Sequence, residues 1–336
     1  MPFVSELVKY RSVSIVGMSK NAGKTECLNY VLGRLDRDYD LTICLSSIGI
    51  DGEKRDQVTE TDKPEISLPK GMLFVTSEKH YLERRLGAEI LDVGPQRTAL
   101  GRLVTAKVID RGKILISGPS STGGLRRLIN HTARLGVDLT IIDGALSRLS
   151  LASPTVSEAM ILATGAAVSK NVGELVRQTE ALYRLIRLPA IAERDLAERL
   201  LPIEQGIHGI DDEGYVHDLD IRTALKIPRE KLLQLQNYRT VYVGGAINDK
   251  LLEQLRVEAK GCRLIVRDFT RIFASRMAVD LFLRSGAQMQ VLYATKLIAL
   301  TVNPQSPDGY VLDSSLLIEA MEAALGIPVY DVKQIG

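Results

Sequence analysis

Short apolar runs alternate with helix-period segments along most of the chain. Residues 13–17 (VSIVG) form a β-rich run, and residues 25–35 follow with Leu28, Val31, Leu32 and Leu35 spaced as one face of a helix. Residues 41–47 read as the next strand. Between about 48 and 120 the pattern is strand-heavy, with runs at 72–77, 89–93, 103–110 and 113–118 and a hairpin turn expected at Asp110-Arg111-Gly112. A helix over 124–135 presents Leu125, Leu128, Ile129, Thr132 and Leu135 on one side. Strands at 139–143 and 159–165 follow, then a helix over 172–187 carrying Leu175, Leu182, Tyr183 and Ile186. Such alternation predicts a mainly parallel sheet covered on both faces.

Residues 188–240 change character. Pro189, Pro202 and Pro228 punctuate them, and residues 207–221 read as a hairpin around Asp212–Gly214. From Thr240 the alternation resumes, with strands at 241–246, 263–268 and 296–304. Helices are expected from about Asp249, up to about Arg284 and over 314–325, and residues 327–332 close the chain. The expected class is α/β: a mainly parallel sheet flanked by helices, with a β-rich insertion and a second C-terminal α/β domain. The expected boundaries are 1–190 for the first domain, 191–239 for a linker and hairpin region, and 240–336 for the second domain.

Composition narrows the function classes. The 336 residues carry 43 Lys+Arg against 41 Asp+Glu, a formal charge of +2, which argues against a dedicated nucleic-acid binder. Aromatics at 5% and the absence of Trp argue against base-stacking platforms. Cys27, Cys44 and Cys262 are odd in number and lie outside any CxxC spacing, so neither a disulfide framework nor a zinc site is expected. His80, His131, His208 and His217 form no HxxxH or HExxH pattern. No secretory signal and no 18-residue apolar window are recognised, so the expectation is a cytoplasmic, reduced protein that binds neither nucleic acid nor membrane. Its only expected metal is a nucleotide's Mg2+.

The chemistry concentrates in Gly17-Met18-Ser19-Lys20-Asn21-Ala22-Gly23-Lys24-Thr25, set between a strand and an amphipathic helix as a phosphate loop requires. Gly23 lets backbone N–H groups close around phosphates, and the helix beginning near Lys24 directs its positive dipole at them. Lys24 would bridge the β/γ oxygens and Thr25 would ligate Mg2+ through its hydroxyl. The candidate binding set is Gly17, Ser19, Lys20, Asn21, Ala22, Gly23, Lys24, Thr25 and Glu26. Five residues rather than four separate Gly17 from Gly23, so Met18 occupies the usual first-glycine place.

Asp143 ends the apolar run 139–143 and precedes Gly144, the pattern of a Walker B carboxylate that holds Mg2+; a strand-ending Asp that caps a turn is the alternative. Asp51, in Asp51-Gly52-Glu53 after the strand 41–47, is a candidate for Mg2+ or for orienting the attacking water, with a simple turn as the alternative and Glu53 ranking lower. Residues 117–124 (SGPSSTGG) form a second glycine- and hydroxyl-rich strand-to-helix loop, in which Ser120 is a candidate phosphate or substrate contact; a tight turn with an N-cap explains the loop equally well. No N-K-x-D guanine signature is present, and Ser169-Lys170-Asn171 is a weak match to a base-contacting loop, so ATP is favoured over GTP.

The longer GxxxxxGKT form resembles dethiobiotin synthetase, the cobyrinate amide synthetases and, more widely, the deviant Walker A ATPases, in which an early loop lysine reaches a dimer partner's nucleotide. Lys20 lies one residue off that position, and a homodimer is one expectation. The set IVGMSKNAGKT, IGIDGE, DVGPQRTALG, ISGPSSTGG, IIDGALSR and SLASP more particularly resembles the P-loop subunit of the lysine 5,6-aminomutase reactivase family. That resemblance covers most of residues 11–190 and, less distinctly, residues 302–310 to the C-terminus. It implies phosphate-loop roles for Gly17, Asn21, Gly23, Lys24 and Thr25 and acidic roles for Asp51 and Asp143. It also implies ATP hydrolysis that opens a cobalamin-dependent aminomutase for cofactor exchange. The implied partners are that aminomutase and a second reactivase ATPase subunit related to mismatch-repair clamp proteins. The competing readings are an ATP-dependent small-molecule ligase resembling dethiobiotin synthetase and a GTP-dependent cofactor- or metal-loading protein. The C-terminal domain supplies no clear chemical group: Gly244-Gly245, Asp268 and Asn303-Pro304 end predicted strands, and turn chemistry accounts for them.

Overall fold

The computed structural model describes residues 3–48, 66–145, 153, 156–225 and 227–335, with only the backbone of Gln96 and Ala145. Two compact units divide the chain, Met1–Glu180 with Lys296–Gly336, and Ala181–Thr295 between them. In chain order the first unit contributes β1 (Ser12–Gly17), β2 (Ile43–Ser47), β3 (Ile66–Leu68), β4 (Leu73–Ser77), β5 (Arg85–Thr98), β6 (Gly101–Ile114), β7 (Leu139–Ala145) and β8 (Ala159–Gly165). The second unit holds β9 (Ile207–Ile210), β10 (Val216–Ile221), β11 (Thr240–Val243), β12 (Arg263–Val266) and β13 (Gln288–Val291). The chain then returns to the first unit with β14 (Lys296–Asn303) and β15 (Val329–Tyr330).

The first sheet runs β15-β14-β8-β1-β7-β2-β4-β6-β3, with β5 paired on β6. From β15 to β4 every pairing is parallel, and β6 turns the edge antiparallel. Every residue of β1, β2 and β8 is buried, which is why apolar residues on these strands face both sides of the sheet, with small hydroxyl side chains (Ser12, Ser14, Ser46, Ser47 and Thr164) buried among them. The helix Lys24–Asp38 buries the expected Leu28, Val31, Leu32 and Leu35, joined by Cys27, in the core beside β1. The α/β class and the mainly parallel sheet agree with the sequence pattern.

Two local expectations differ. β6 runs unbroken through Asp110-Arg111-Gly112, and the chain reverses earlier, at Thr98–Gly101, where Gly101 has φ 94° and Thr98 Oγ1 donates to Gly101 O at 2.7 Å. Gly112 is needed for close approach instead of turning: a Cβ there would stand 2.2 Å from Arg85 O. The run 113–118 is accordingly not a separate strand; Lys113 and Ile114 end β6 and the remainder is irregular.

The domain boundaries differ too. β14 lies parallel to β8, with Leu300 opposite Leu162, so residues 296–336 complete the first sheet and do not continue a C-terminal domain. The expected hairpin at 207–221 is present as β9 and β10, paired antiparallel, but residues 191–239 are not a linker, because β9 joins β11. The second unit is thus an insertion with its own sheet, β10-β9-β11-β12-β13, in which β11, β12 and β13 are parallel. Its core gathers Val241, Val243, Leu252, Leu255, Leu264 and Phe282, all at most 1% exposed. Among the described residues no helix is long and apolar enough to cross a membrane.

Candidate functional site

In parallel sheets, ligands bind beyond the carboxyl ends of the strands, where the strand order reverses. Here β1 has β7 on one side and β8 on the other, and the phosphate-loop candidate emerges from its end. Met18 N–H donates to Ala163 O at 2.8 Å, and Thr179 Oγ1 donates to Met18 Sδ at 3.5 Å. Ser19 Oγ donates to Lys20 O at 3.0 Å. The chain then tightens through two left-handed residues, Asn21 with φ 59° and Gly23 with φ 89°. Ala22 between them is 1% exposed. Gly23 is the N-cap of the helix Lys24–Asp38 and supplies no side chain, so the first-turn N–H groups have no side-chain acceptor from the cap. That is the donor set an anion needs.

The register of β1 and β7 sets Asp143 opposite Ile15, two residues before the loop leaves the strand. Lys24 Nζ lies 2.8 Å from Asp143 Oδ1, with side-chain exposures of 20% and 16%. The contact is a charge pair without hydrogen-bond alignment, and Asp143 Oδ1 accepts no hydrogen bond among the described residues. Asp143 Oδ1 thus has the Lys24 ammonium as its charged neighbour and lone pairs that no aligned N–H or O–H occupies, so it could ligate a divalent cation. Thr25, next to Lys24 in the helix's first turn and only half-buried, provides the hydroxyl such a cation takes alongside phosphate oxygens. The residues present therefore fit Mg2+ held by Thr25, Asp143 and a nucleotide.

Neighbouring strands brace this arrangement. Ser47, at the end of β2, sits opposite Asp143, and its hydroxyl donates to Asp143 O at 3.1 Å. The loop after β6 lies on Ser47: a Cβ on Gly118 would come within 1.7 Å of Ser47 O. His80 Nδ1 and Ser117 Oγ, both buried, are 2.5 Å apart and tie the loop to the segment after β4. Ser121 N-caps the helix Thr122–Arg134 by accepting from Gly124 N–H at 3.1 Å, as the turn reading anticipates, and Ser120 beside it is exposed.

The remaining candidates are placed unevenly. Gly17 is packed so that a Cβ would stand 3.2 Å from Ser19 O. Glu26 is exposed with its carboxylate 3.8 Å from Lys333 Nζ, pointing to the C-terminal segment. Lys20 is exposed at the loop. Asp51 and Glu53 lie outside the described residues. Lys170 pairs with Asp308 at 3.0 Å, and Asn171 Oδ1 accepts from Glu174 N–H at 2.9 Å, so both residues hold loop and helix ends in place.

Asn303 is the residue whose importance sequence reading missed. It ends β14, its Nδ2 donates to Asn21 O at 3.4 Å, and its carbonyl accepts from Ala166 N–H at 2.9 Å. Side chains at two glycines would collide with it: a Cβ on Gly23 would stand 2.5 Å from Asn303 Cβ, and one on Gly165 2.1 Å from Asn303 O. Read as Asn-Pro turn chemistry, it is instead a brace under the tightest part of the loop. Cys27, one turn into the same helix, is no nucleophile: burial pushes its thiol up to about 12, against a smaller opposing effect of Thr301. Comparison of the chain with protein-family models, with curated protein sequences and with solved structures gave no match.

Proposed function

We propose that the chain is a Mg2+-dependent P-loop nucleoside triphosphatase, with ATP as its nucleotide. The observation that carries this reading is the charge pair between Lys24 and Asp143 at 2.8 Å, at the mouth of a loop whose helix N-terminus has no side-chain cap. The bland alternative, a turn-capping Asp and a degenerate loop, accounts for neither a carboxylate paired with the loop lysine nor two left-handed residues in a row of three. In the proposed cycle Lys24 leaves Asp143 for the β- and γ-phosphate oxygens, the N–H groups of the loop close on the β-phosphate, and Thr25 and Asp143 hold the cation. Asp51 is the proposed orienter of water.

Following the resemblance of its motifs, the proposed biological role is that of a reactivase subunit, spending hydrolysis on a cobalamin-dependent aminomutase together with a second ATPase subunit. A nucleotide can drive a client between states only by differential affinity for them, which the triphosphate and diphosphate forms would supply. The test is turnover by the purified protein and its Lys24→Ala variant, with and without an inactivated aminomutase. Recovery of mutase activity that needs both ATP and Lys24 supports the whole proposal. Hydrolysis without recovery reduces it to the nucleotidase, and turnover strictly dependent on a small carboxylic acid replaces the client with a ligase substrate.

A further inference from the structure

The inserted unit carries a cleft of about 300 Å3 that the nucleotide chemistry does not use. Its position follows from topology. β11 runs parallel to β12 and β13, and the cleft opens beyond the carboxyl end of β11, the place where parallel sheets receive ligands. Ile207 and Val243, register partners on β9 and β11 and each 1% exposed, form an apolar floor. Leu225 and Phe273 stand at the rim, 76% and 63% exposed, so two large apolar side chains border the opening with little cover from the other described residues.

Two further features decide what would fit. Gly245 lines the wall, and a Cβ built on it meets nothing within 4 Å, although its φ lies outside the left-handed region. Neither strain nor packing within this unit accounts for a glycine there; a side chain would simply occupy the cleft. Arg222, exposed, is the charged side chain among the lining residues and has no ion-pair partner among the described residues. An unpaired guanidinium beside an apolar hollow suits a carboxylate on an apolar body, because the charge-assisted pair fixes orientation while the body displaces water from the floor.

We infer that this cleft is a binding site for a small organic carboxylate, its ring-sized apolar body lying over Gly245 between Leu225 and Phe273 and its carboxylate held by Arg222. The inference is independent of the nucleotide site, and its test runs without nucleotide on the full chain. Binding of 1-naphthoate is measured by calorimetry and by saturation-transfer NMR, with 1-naphthalenemethanol and acetate as the neutral and the bodiless controls. Naphthoate is expected to bind one site, with each control at least about tenfold weaker. Gly245→Leu, which fills the hollow, is expected to abolish binding. Arg222→Gln, on an exposed side chain whose change leaves the core untouched, is expected to weaken naphthoate at least about tenfold while leaving naphthalenemethanol unchanged. Absence of naphthoate binding, or binding that survives both variants, overturns the assignment. The Arg222→Gln arm keeps it falsifiable if Gly245→Leu fails to fold.

Discussion

Asp143→Asn separates a metal-binding carboxylate from a mere partner of Lys24. The change keeps the side chain's shape and removes its charge. At 2.8 Å and an effective dielectric of about 20, the gross attraction between Lys24 and Asp143 is about 6 kcal/mol. Both groups are mostly withdrawn from water, so desolvation offsets much of that attraction, and the amide oxygen of Asn keeps a partial negative charge beside the ammonium. The expected net loss of stability without ligand is about 1–2 kcal/mol, a fall of a few degrees in Tm. The ligand arm carries the larger signal. ATP binding is measured by calorimetry with Mg2+ and with EDTA, for the wild type and the variant. In the wild type Lys24 must leave Asp143 to reach phosphate; in the variant that competition is gone, so metal-free ATP is expected to bind equally or more tightly. The gain in affinity that Mg2+ brings is expected to shrink at least about tenfold, a loss of about 1.4 kcal/mol. If the Mg2+ gain is the same in both proteins, Asp143 serves only as an internal counter-ion and the site reasoning fails.

Three further outcomes follow from named contacts. Gly23→Ala forces a side chain into a left-handed residue and against Asn303, so a loss of at least about 2 kcal/mol by chemical denaturation and of measurable ATP affinity is expected, whereas Met18→Gly keeps ATP affinity within about threefold. In the inserted unit, hydrogen bonds and charge from Arg263, at 2.7 and 2.8 Å, hold the Glu193 carboxyl down to about 2. A depressed folded-state pKa gives stability that is present above the ordinary Glu value of about 4.3 and is lost as pH falls towards 2. The Tm gap between wild type and Glu193→Gln should therefore be constant from pH 7 to 5 and close between pH 4 and 2.5; a gap unchanged at pH 2.5 contradicts the shift. Burial raises the thiols of Cys27 and Cys44 to about 12 and that of Cys262 to about 11, so Ellman's reagent should find no reactive thiol in native protein at pH 8 and three in guanidinium.

Local patterns were legible because local forces decide them. The run 159–165 is β8 to the residue, since a strand buried on both faces is mostly apolar on both, Thr164 being its one hydroxyl. The helix over 314–325 coincides with Ser314–Leu325, bounded by an Asp313 side-chain cap and by Gly326 with φ 65°. The loop Gly17–Thr25 stood out because strand, glycine and helix start coincide there. Pairing across the chain was not legible. Nothing within residues 296–304 distinguishes a strand that continues the inserted unit from one that returns to β8, since both would be apolar and followed by Asn-Pro. The same holds for Asp110-Arg111-Gly112: charges beside a glycine read as a turn, yet on an edge sheet they are solvated strand positions, and the glycine admits Arg85 O. Asp51 joins the site only as a sequence candidate, because it lies outside the described residues.

The odd spacing of the loop Gly17–Thr25 has a physical resolution in these contacts. A loop one residue too long should either bulge or shift the lysine off its helix start. Neither occurs, because Met18 N–H bonds the carbonyl of Ala163, the residue opposite Gly17, and stays tied to the end of β8. The extra residue is pinned at the strand's end by that bond, leaving Ser19–Ala22 as the four residues between Met18 and Gly23, the length of the standard loop. A glycine is dispensable at the first place because Met18 does not adopt a left-handed conformation; that requirement falls on Asn21 and Gly23. The strand extension also gives the side chain something to do, since Met18 Sδ accepts from Thr179 on the helix Val172–Ile186 and fixes the loop's entry. Its exit is fixed by Asn303, held on the end of β14. Entry and exit are therefore anchored by β8 with its following helix and by β14, elements that lie on either side of the inserted unit in sequence. The loop's geometry thus depends on the chain returning to the first sheet after that insertion, and a fragment ending at residue 190 would contain the whole motif without the brace that shapes it.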